Sequence, residues 1–308
     1  MNVAIFGGTG FVGGYLVDAL TAAGHAVFAL VRSGSEPKLR AKGLCRVTNG
    51  DLSNEDAIAA TLAHCDAVIY NVGLLREYPS QGITFEEAHY EGVRRVIDAA
   101  KGAGIKRFIL MSANGVESAS TPYQDTKLRA EQLLEGSGLD ITIFRPSVIF
   151  GDPRGTMEIA TQLHEDLVRP PVPAPGFHTG LSAASGPVLM SPVHVEDVAA
   201  AFVAALQDPA SFGKTIRLGG PEQLSWTDMV KRVAAAVGKD KVVLPVPIGL
   251  MKLGARLLDW VPAFPVTRDQ LTMLAEGNVA PPDHLQQMLG RRLRTFTDDN
   301  LGYLRKPR

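Results

Sequence analysis

The sequence is poor in the features that mark secreted, metal-binding and membrane-spanning proteins. Its 308 residues include only two cysteines, Cys45 and Cys65, and their spacing matches no metal-ligand motif. So few thiols exclude a disulfide-stabilised extracellular domain and favour a reduced, cytoplasmic compartment. The seven histidines also lack metal-ligand spacing, so no metal site is predicted, and His89 and His194 are interpreted as core or helix-end residues. No apolar run is long enough to span a bilayer.

An excess of charge of one sign is also missing. The formal net charge is -1 at pH 7, whereas a protein that binds nucleic acid electrostatically would carry a basic excess. That class is therefore excluded. Hydrophobic residues make up 45% of the chain, which is enough for a large core in one or two domains. Because the first predicted strand starts at Met1, we expect no targeting segment before it.

What the chain does have is a glycine-rich turn at its beginning. The apolar run at 1–6 ends in glycines spaced G-x-x-G-x-x-G, and an amphipathic helical pattern follows. The first glycine permits a tight turn, the second lets the backbone approach a pyrophosphate, and the third allows close packing of helix on strand. The phosphates would lie on free N–H groups at the helix N-terminus. The pattern predicts a dinucleotide site that includes Gly7, Thr9, Gly10, Phe11, Val12 and Gly13.

The first half of the chain alternates strand and helix patterns. Such alternation predicts an α/β fold, a doubly wound parallel sheet of the Rossmann type covered by helices on both faces. The predicted smaller C-terminal domain is mostly helical. Strands are predicted at 1–6, 25–32, 45–51, 67–73, 107–112 and 140–145, and helices at 54–63, 85–103 and 122–134.

The composition changes after residue 151, where a second domain is predicted to begin. Proline and glycine are frequent at 170–192, which predicts a loop there. A helix at 195–207 and a strand at 214–218 indicate a return to the sheet. The predicted organisation is a nucleotide-binding Rossmann domain over 1–151 with a return segment at about 191–219, and a discontinuous substrate or docking domain over 152–308 with helices at 226–237, 248–261 and 267–276.

Tyr123 and Lys127 are the candidate catalytic pair. They are four residues apart on a predicted helix and so share one face. A lysine ammonium beside a phenol favours the phenolate, and a nicotinium ring nearby would favour it further, so we expect Tyr123 to act as general acid or base with a lowered pKa. Ser112, which ends the preceding strand, can orient a substrate carbonyl. The alternative is a surface tyrosine and lysine at helical spacing, but this helix follows the fifth strand, where a doubly wound sheet has its ligand edge.

The end of the second strand bears on cofactor choice. An NAD site usually has a carboxylate there, about twenty residues after the last glycine, to bind the ribose 2′-hydroxyl. This chain has Arg32 and Ser33 instead, and a guanidinium beside a hydroxyl suits a 2′-phosphate. NADP is therefore predicted over NAD, with Thr9 as a further contact. The alternative is an Arg32 side chain in solvent that confers no selectivity.

Taken together, these motifs resemble the short-chain dehydrogenase/reductase superfamily over essentially the whole chain. Residues 145–151 and 192–198 are similar to motifs of its extended and atypical branches. Residues 266–271 and 276–279 are similar to the branch that includes the nucleotide-binding accessory subunit of respiratory complex I and its bacterial relatives. The resemblance implies cofactor contacts at Asp51, Leu52, Asn71, Val72, Gly73, Lys127 and Pro146.

The sequence departs from the extended branch at one point. Extended members usually have a long substrate loop between the active-site hydroxyl and the tyrosine, whereas Ser112 and Tyr123 are only eleven positions apart. This weakens the case for Ser112, leaves Asn114 as an alternative polar group, and argues against a sugar-nucleotide substrate.

Three hypotheses for function remain. The first is hydride transfer between NADP(H) and a carbonyl, hydroxyl or activated double bond of an apolar, quinone- or isoprenoid-like substrate. The second is an NADP-binding accessory or assembly subunit without turnover, and the third a sugar-nucleotide epimerase or dehydratase. The predicted apolar helix at 248–261 either packs into the small domain or contacts a membrane surface or a respiratory complex. The second arrangement would put the protein at the periphery of the inner membrane.

Overall fold

The structure is a computed structural model that describes residues 1–39, 45–180, 185–249 and 268–305. The chain divides into two compact units, each discontinuous in sequence. The first comprises Met1–Arg145, Val195–Arg217 and Gln287–Gly290, and the second comprises Pro146–His194, Leu218–Gln286 and Arg291–Arg308.

A seven-stranded sheet forms the centre of the first unit, and it confirms the predicted Rossmann-type α/β class. Its first six strands pair in parallel. They are β1 (Asn2–Phe6), β2 (Ala26–Val31), β3 (Cys45–Asn49), β4 (Ala67–Tyr70), β5 (Arg107–Met111) and β6 (Asp140–Pro146). Their order is β3-β2-β1-β4-β5-β6, and the strand Lys214–Leu218 lies beyond β6. The order reverses between β1 and β4, which creates the crevice where such sheets bind ligands.

Burial explains why the central strands are apolar throughout. In β1, β4 and β5 nearly every side chain is inaccessible to solvent, as a parallel sheet covered on both faces requires. β3 lies at the edge of the sheet and is half exposed. The main helices of this unit are α1 (Phe11–Ala22), α2 (Glu55–Leu62), α3 (Gly92–Gly102), α4 (Pro122–Glu135) and Val195–Ala205.

The helix predicted at 85–103 is not uniformly α-helical. Residues Glu86–Glu91 form a π-helix, and α3 begins only at Gly92. The Tyr70 hydroxyl, which donates to the Ala88 carbonyl at 2.6 Å, fills the space where a Cβ of Gly92 would lie. A buried phenol pressed against the helix in this way accounts for the widened turn, which the apolar periodicity does not reveal.

The second unit combines helices with short strand pairs. The prediction of a loop throughout 170–192 is wrong, because Ala174–His178 is a strand that pairs in parallel with Val243–Pro247. Leu189–Met190 likewise pairs with Leu224–Ser225. Prolines are tolerated in a two-stranded ladder because each strand has an unpaired edge. The strands of this unit are Ile149–Phe150, Ala174–His178, Leu189–Met190, Val193–His194, Leu224–Ser225 and Val243–Pro247, and its helices include Ile159–Leu163, Trp226–Ala236, Arg268–Glu276 and Asp298–Leu301.

Part of the predicted C-terminal pattern lies outside the described residues. This applies to the helix predicted at 248–261 from residue 250 onwards, and to residues 266 and 267 of the predicted branch motif. Within the described ranges, no helix combines the length and the apolar character needed to cross a membrane.

Gly13 and Gly14 are neighbours in α1 with opposite surroundings. A Cβ on Gly13 would lie 2.8 Å from the Gly8 Cα and closer still to the Gly7 carbonyl oxygen, so the backbone of the turn would have to move. Apart from its chain neighbours and the nearby backbone of its own helix, a Cβ on Gly14 would have no heavy atom of the described residues within 4 Å.

We therefore predict opposite effects of two adjacent substitutions. Gly13→Ala should destabilise the protein by about 2 kcal/mol or more, because the added methyl group overlaps backbone atoms. Gly14→Ala should stabilise it by about 0.5–1 kcal/mol, because alanine is the better helix former. Urea unfolding followed by circular dichroism measures both, and equal effects of the two substitutions would contradict the close packing at Gly13.

Candidate functional site

The N-terminus of α1 is open to an anion. Its N-cap residue, Gly10, is extended and provides no side-chain hydrogen bond to the first turn, and no acidic residue lies in that turn. The unpaired N–H groups and the positive end of the helix dipole therefore face the glycine turn without a competing acceptor from a capping side chain. Thr9, Phe11 and Val12 are half-buried around this turn. This is the arrangement that binds phosphate at helix N-termini.

The segment after β4 packs directly on the glycine turn. The Asn71 side-chain amide donates to the Gly7 carbonyl at 3.3 Å, and a Cβ on Gly7 would lie 2.8 Å from the carbonyl group of Asn71. Gly7 also has a φ of +90°, in the region that favours glycine. The structure thus brings Gly7 together with Asn71 and Val72 at the carboxyl edge of the sheet.

Lys127 joins two strands at this edge. Its ammonium donates to the Val72 carbonyl at 3.3 Å and to the Met111 carbonyl at 3.0 Å, the first just beyond β4 and the second at the end of β5. Burial lowers the pKa of Lys127 to about 8, although the nearby Glu131 carboxylate opposes this shift. The ammonium therefore remains mainly protonated at neutral pH, in a position fixed by two backbone oxygens.

Ser112 has a buried hydroxyl without a partner. The residue is 4% exposed, and its Oγ makes no hydrogen bond to the described residues. Its neighbour Met111 supplies the carbonyl that holds Lys127. Leaving a buried hydroxyl unpaired is unfavourable, so a ligand atom at this point would gain a hydrogen bond that the protein alone does not provide. Asn114, the alternative from the sequence, is half-buried and already has an interaction partner.

The protein's own residues do not lower the pKa of Tyr123 as the spacing predicts. Burial raises the pKa of Tyr123 to about 12, and the Lys127 ammonium hydrogen-bonds to backbone carbonyls. The Tyr123 ring instead packs edge-on against Phe85 and His89, with centroid distances of 5.7 and 5.3 Å. Desolvation is the cause of this shift, so Tyr123 is a protonated phenol suited to donating a proton.

The ends of β2 and β3 bear the residues predicted at the adenosine side of a dinucleotide. Arg32 and Ser33 directly follow β2, and both are exposed. Hydrogen bonds from Ser53 lower the pKa of Asp51, and the Arg32 guanidinium adds to this effect. The Arg32 guanidinium thus acts electrostatically on the Asp51 carboxylate. The next residue, Leu52, accepts a hydrogen bond from Arg95 through its carbonyl at 3.0 Å.

The other end of the predicted site begins where β6 ends. Pro146 is the buried last residue of that strand. In the second unit, Ser147 donates to the Asn278 carbonyl at 2.6 Å, and the amide of Ser191 donates to the same oxygen at 3.0 Å. The motif at 276–279 thus fixes the segment that follows Pro146.

Sequence reasoning missed two buried polar side chains near the candidate catalytic pair, His89 and Glu131. His89, interpreted as a core or helix-end residue, is hydrogen-bonded at both ring nitrogens. Glu131 is 1% exposed, and it accepts from the Arg145 guanidinium, with an Nε to Oε1 distance of 3.0 Å. The four-residue spacing of Lys127 and Glu131 could have indicated that Glu131 lies near Lys127, because it puts both on one face of the helix. No local signal identified His89.

Comparisons with known proteins are consistent with this geometry and confirm the resemblance. The family model described as NAD(P)H-binding matches residues 7–209. The chain is 31% identical over 298 residues to the mitochondrial NADH dehydrogenase (ubiquinone) 1 alpha subcomplex subunit 9 of Arabidopsis thaliana. The aligned region covers 91% of this chain and 70% of that protein. It is 27% identical over 260 residues to the ceramide reductase of Caulobacter vibrioides, covering 84% and 78% respectively.

A solved structure shows the same fold. The UDP-glucose 4-epimerase of Thermus thermophilus, solved as a complex with NAD, superimposes with a TM-score of 0.74 and 19% identity, covering 99% of this chain and 97% of that one.

We predict that Tyr123 in the nucleotide-free protein ionises at a pKa of about 12. The measurement is an ultraviolet titration of tyrosinate, with the Tyr123→Phe variant subtracted so that one phenol is observed. In a Lys127→Met background the raised pKa should persist, because burial and not a missing cation is its cause. A wild-type pKa below that of free tyrosine, rising in the Lys127→Met background, would contradict this assignment.

Proposed function

The chain belongs to the NAD(P)H-binding short-chain dehydrogenase/reductase family, and from this premise we propose that it is an NADP(H)-dependent oxidoreductase. Its substrate would be an apolar molecule with a carbonyl, hydroxyl or activated double bond, of quinone or isoprenoid type. The observation that carries the proposal is the buried Ser112 hydroxyl, which has no partner in the part of the chain that the structure describes and directly follows Met111, whose carbonyl accepts from the buried Lys127 ammonium. A buried unpaired hydroxyl and a buried ammonium, both located at the ligand edge of the sheet, favour a catalytic site over a structural one.

The residues around the glycine turn suit a dinucleotide. The uncapped start of α1 would hold the pyrophosphate, and the absence of side chains at Gly7 and Gly13 keeps the turn tight enough for this. Asp51 and Leu52 would contact the adenine, and the segment Asn71, Val72 and Gly73 would line the path to the nicotinamide, together with Pro146. The bound nucleotide would supply or accept the hydride.

The protein's own side chains would position the substrate and move the proton. Ser112 would hydrogen-bond the substrate oxygen, and Tyr123 would donate a proton to it during reduction or remove one during oxidation. Lys127 would hydrogen-bond the nicotinamide ribose. A nucleotide with a positive ring would also favour the phenolate of Tyr123, because it adds the positive charge that the nucleotide-free site lacks near the phenol.

The preference for NADP rests on Arg32. It is exposed at the end of β2 beside Ser33, and its field already acts on Asp51. A 2′-phosphate at this place would find a guanidinium and a hydroxyl donor, and no carboxylate at 32 or 33 would repel it.

An apolar substrate is supported by two observations. The segment after β4, at the ligand edge, exposes Leu75 to 71% and Tyr78 to 48%. A relative of the chain is named a ceramide reductase, so the same family includes a protein named for a lipid substrate.

A second function is favoured by the 31% identity to a complex I subunit. In that case NADP would stabilise the fold by binding linkage, and the protein would contact a respiratory complex at the periphery of a membrane without turnover. The raised pKa of Tyr123 agrees with it, because the phenol is not activated in the nucleotide-free state. We rank it second because the unpaired Ser112 hydroxyl has no role in it.

The first prediction from this proposal concerns nucleotide selectivity. Arg32→Ala should weaken NADPH binding by about tenfold to a hundredfold, the value of a charge-assisted hydrogen bond, and leave NADH binding within about twofold. Isothermal calorimetry measures both. Arg46→Ala is the matched control, because it removes an exposed cation whose guanidinium lies over the Phe28 ring on the neighbouring strand. Equal losses for NADPH and NADH would refute the role of Arg32.

The second prediction concerns turnover. With NADPH and a panel of quinones, isoprenoid carbonyl compounds and ceramide-like ketones, Tyr123→Phe should lower kcat by about a hundredfold or more, because the proton donor is removed. Nucleotide affinity should remain within about threefold. NADPH absorbance follows the reaction. Tight NADPH binding without turnover of any panel member, together with a higher unfolding temperature in its presence, would favour the accessory function instead.

A further inference from the structure

His89 is a buried polar side chain that the proposed chemistry does not use. It lies in the π-helix Glu86–Glu91, is 1% exposed, and has hydrogen-bond partners at both ring nitrogens. Its Nε2 is 3.0 Å from the backbone amide of Leu74, and its Nδ1 is 3.1 Å from the Thr126 hydroxyl. Leu74 follows the segment predicted to line the nicotinamide, and Thr126 lies on α4 between Tyr123 and Lys127.

The hydrogen bonds determine the protonation of the ring. The amide of Leu74 can only donate, so Nε2 must be the acceptor. The Thr126 hydroxyl donates its one proton to the carbonyls of the first turn of α4, at 2.9 Å from Pro122 and 3.1 Å from Tyr123. Nδ1 must then bear the proton that is donated to Thr126. His89 is therefore neutral and a single tautomer, in agreement with burial and the Lys127 ammonium lowering its pKa to about 2.

A continuous chain of hydrogen bonds results. It runs from the Leu74 amide through the imidazole to the Thr126 hydroxyl, and from there to the carbonyl oxygen of Tyr123 itself. The same ring packs against the Tyr123 phenol at 5.3 Å and stacks on Phe85 at 5.4 Å. One side chain thus fixes both the backbone turn and the ring face of Tyr123.

The contacts of Lys127 show what the chain of hydrogen bonds through His89 positions. The ammonium on α4 donates to the Val72 carbonyl, two residues before Leu74. If the segment after β4 moved relative to α4, this bond would lengthen at once. Surface ion pairs such as Arg129 with Glu86, at 2.8 Å, also join α4 to the π-helix, but they are solvent-exposed and contribute little. The buried chain through His89 is the stronger restraint.

We propose that His89 is a positioning residue for the catalytic pair, which as a neutral Nδ1–H imidazole holds the segment after β4 against the first turn of α4. This role deepens the proposed function and rests on it, because only an oxidoreductase needs the pair positioned. The hydrogen bonds of His89 do not depend on the proposed function. The role gives His89 no contact with substrate, and its effect passes through Thr126, Leu74 and the Tyr123 ring.

Three variants test the proposal. His89→Phe retains a ring but removes both hydrogen bonds. His89→Gln retains a carbonyl oxygen that can accept from the Leu74 amide. His64→Phe is the matched control, because His64 is exposed and its backbone carbonyl accepts a hydrogen bond that the substitution leaves in place. If His89→Phe does not fold, Thr126→Val is used instead. It conserves side-chain volume and removes the hydrogen bond between the Thr126 hydroxyl and His89 Nδ1.

The first two measurements need no nucleotide. Nitrogen NMR of labelled histidine should show one imidazole that stays neutral with the proton on Nδ1 between about pH 5 and 8, and that is lost in His89→Phe. Hydrogen exchange should become about tenfold faster or more in the peptides around 72–76 and 121–127 of His89→Phe, with little change elsewhere. His89→Gln should restore protection at Leu74. A charged ring, the other tautomer, or unchanged exchange in a folded His89→Phe protein would overturn the proposal.

The third measurement separates this inference from the proposed function. NADPH affinity of His89→Phe should fall about tenfold, because only a fraction of the molecules would have the competent arrangement, while His89→Gln should stay within about threefold of wild type. If wild type and His89→Phe bind NADPH equally, the positioning proposal fails and the proposed function stands. If the wild type binds no nucleotide, the proposed function fails, and the exchange and tautomer measurements still decide the role of His89.

Discussion

The candidate site depends on one buried ammonium. Lys127 lies where β4 and β5 end, and among the described residues its direct partners are the carbonyls of Val72 and Met111 rather than a carboxylate. A charge taken from water into such a place is unfavourable unless its hydrogen bonds are good, and the lowered pKa reflects that cost. The parallel sheet makes the arrangement possible, because adjacent parallel strands end at the same edge. Their last carbonyl groups are then available to a side chain that lies beyond that edge.

The other features of the first unit keep this edge compact. Asn71 ties the segment after β4 to the glycine turn, and Gly13 lets α1 approach that turn. Glu131, paired with Arg145, lies on the same helix as Lys127 and moderates the loss of its charge. Tyr123 shares this helix, but its ring is directed into an aromatic group with Phe85 and His89. The two members of the candidate catalytic pair thus have different surroundings, although they are one helical turn apart.

This difference explains why one part of the chemical prediction is wrong. Helical spacing shows that Tyr123 and Lys127 are on one face, but not how far each is withdrawn from water or which atoms the ammonium contacts. Phe85 and His89, which come from another part of the chain, pack against the Tyr123 ring, and burial raises the pKa that the spacing alone would lower. The π-helix that brings His89 there depends in turn on the Tyr70 hydroxyl and Gly92. Likewise, the strand pairing of Ala174–His178 with Val243–Pro247 is a contact between distant segments that proline content concealed.

The sequence by itself determined the parallel sheet, the glycine turn and the family, because these depend on local patterns: apolar runs, glycine spacing and short motifs such as those at Asp51, Asn71 and Tyr123. It also determined that Arg32, and not the carboxylate usual in NAD sites, follows β2. Tertiary structure alone decided the surroundings and contacts of Tyr123, Lys127 and His89, and that Ser112 has no partner among the described residues while Asn114 has one. The physical reason is that burial and hydrogen bonding are set by residues far apart in the chain, and no pattern within a single helix or strand contains them.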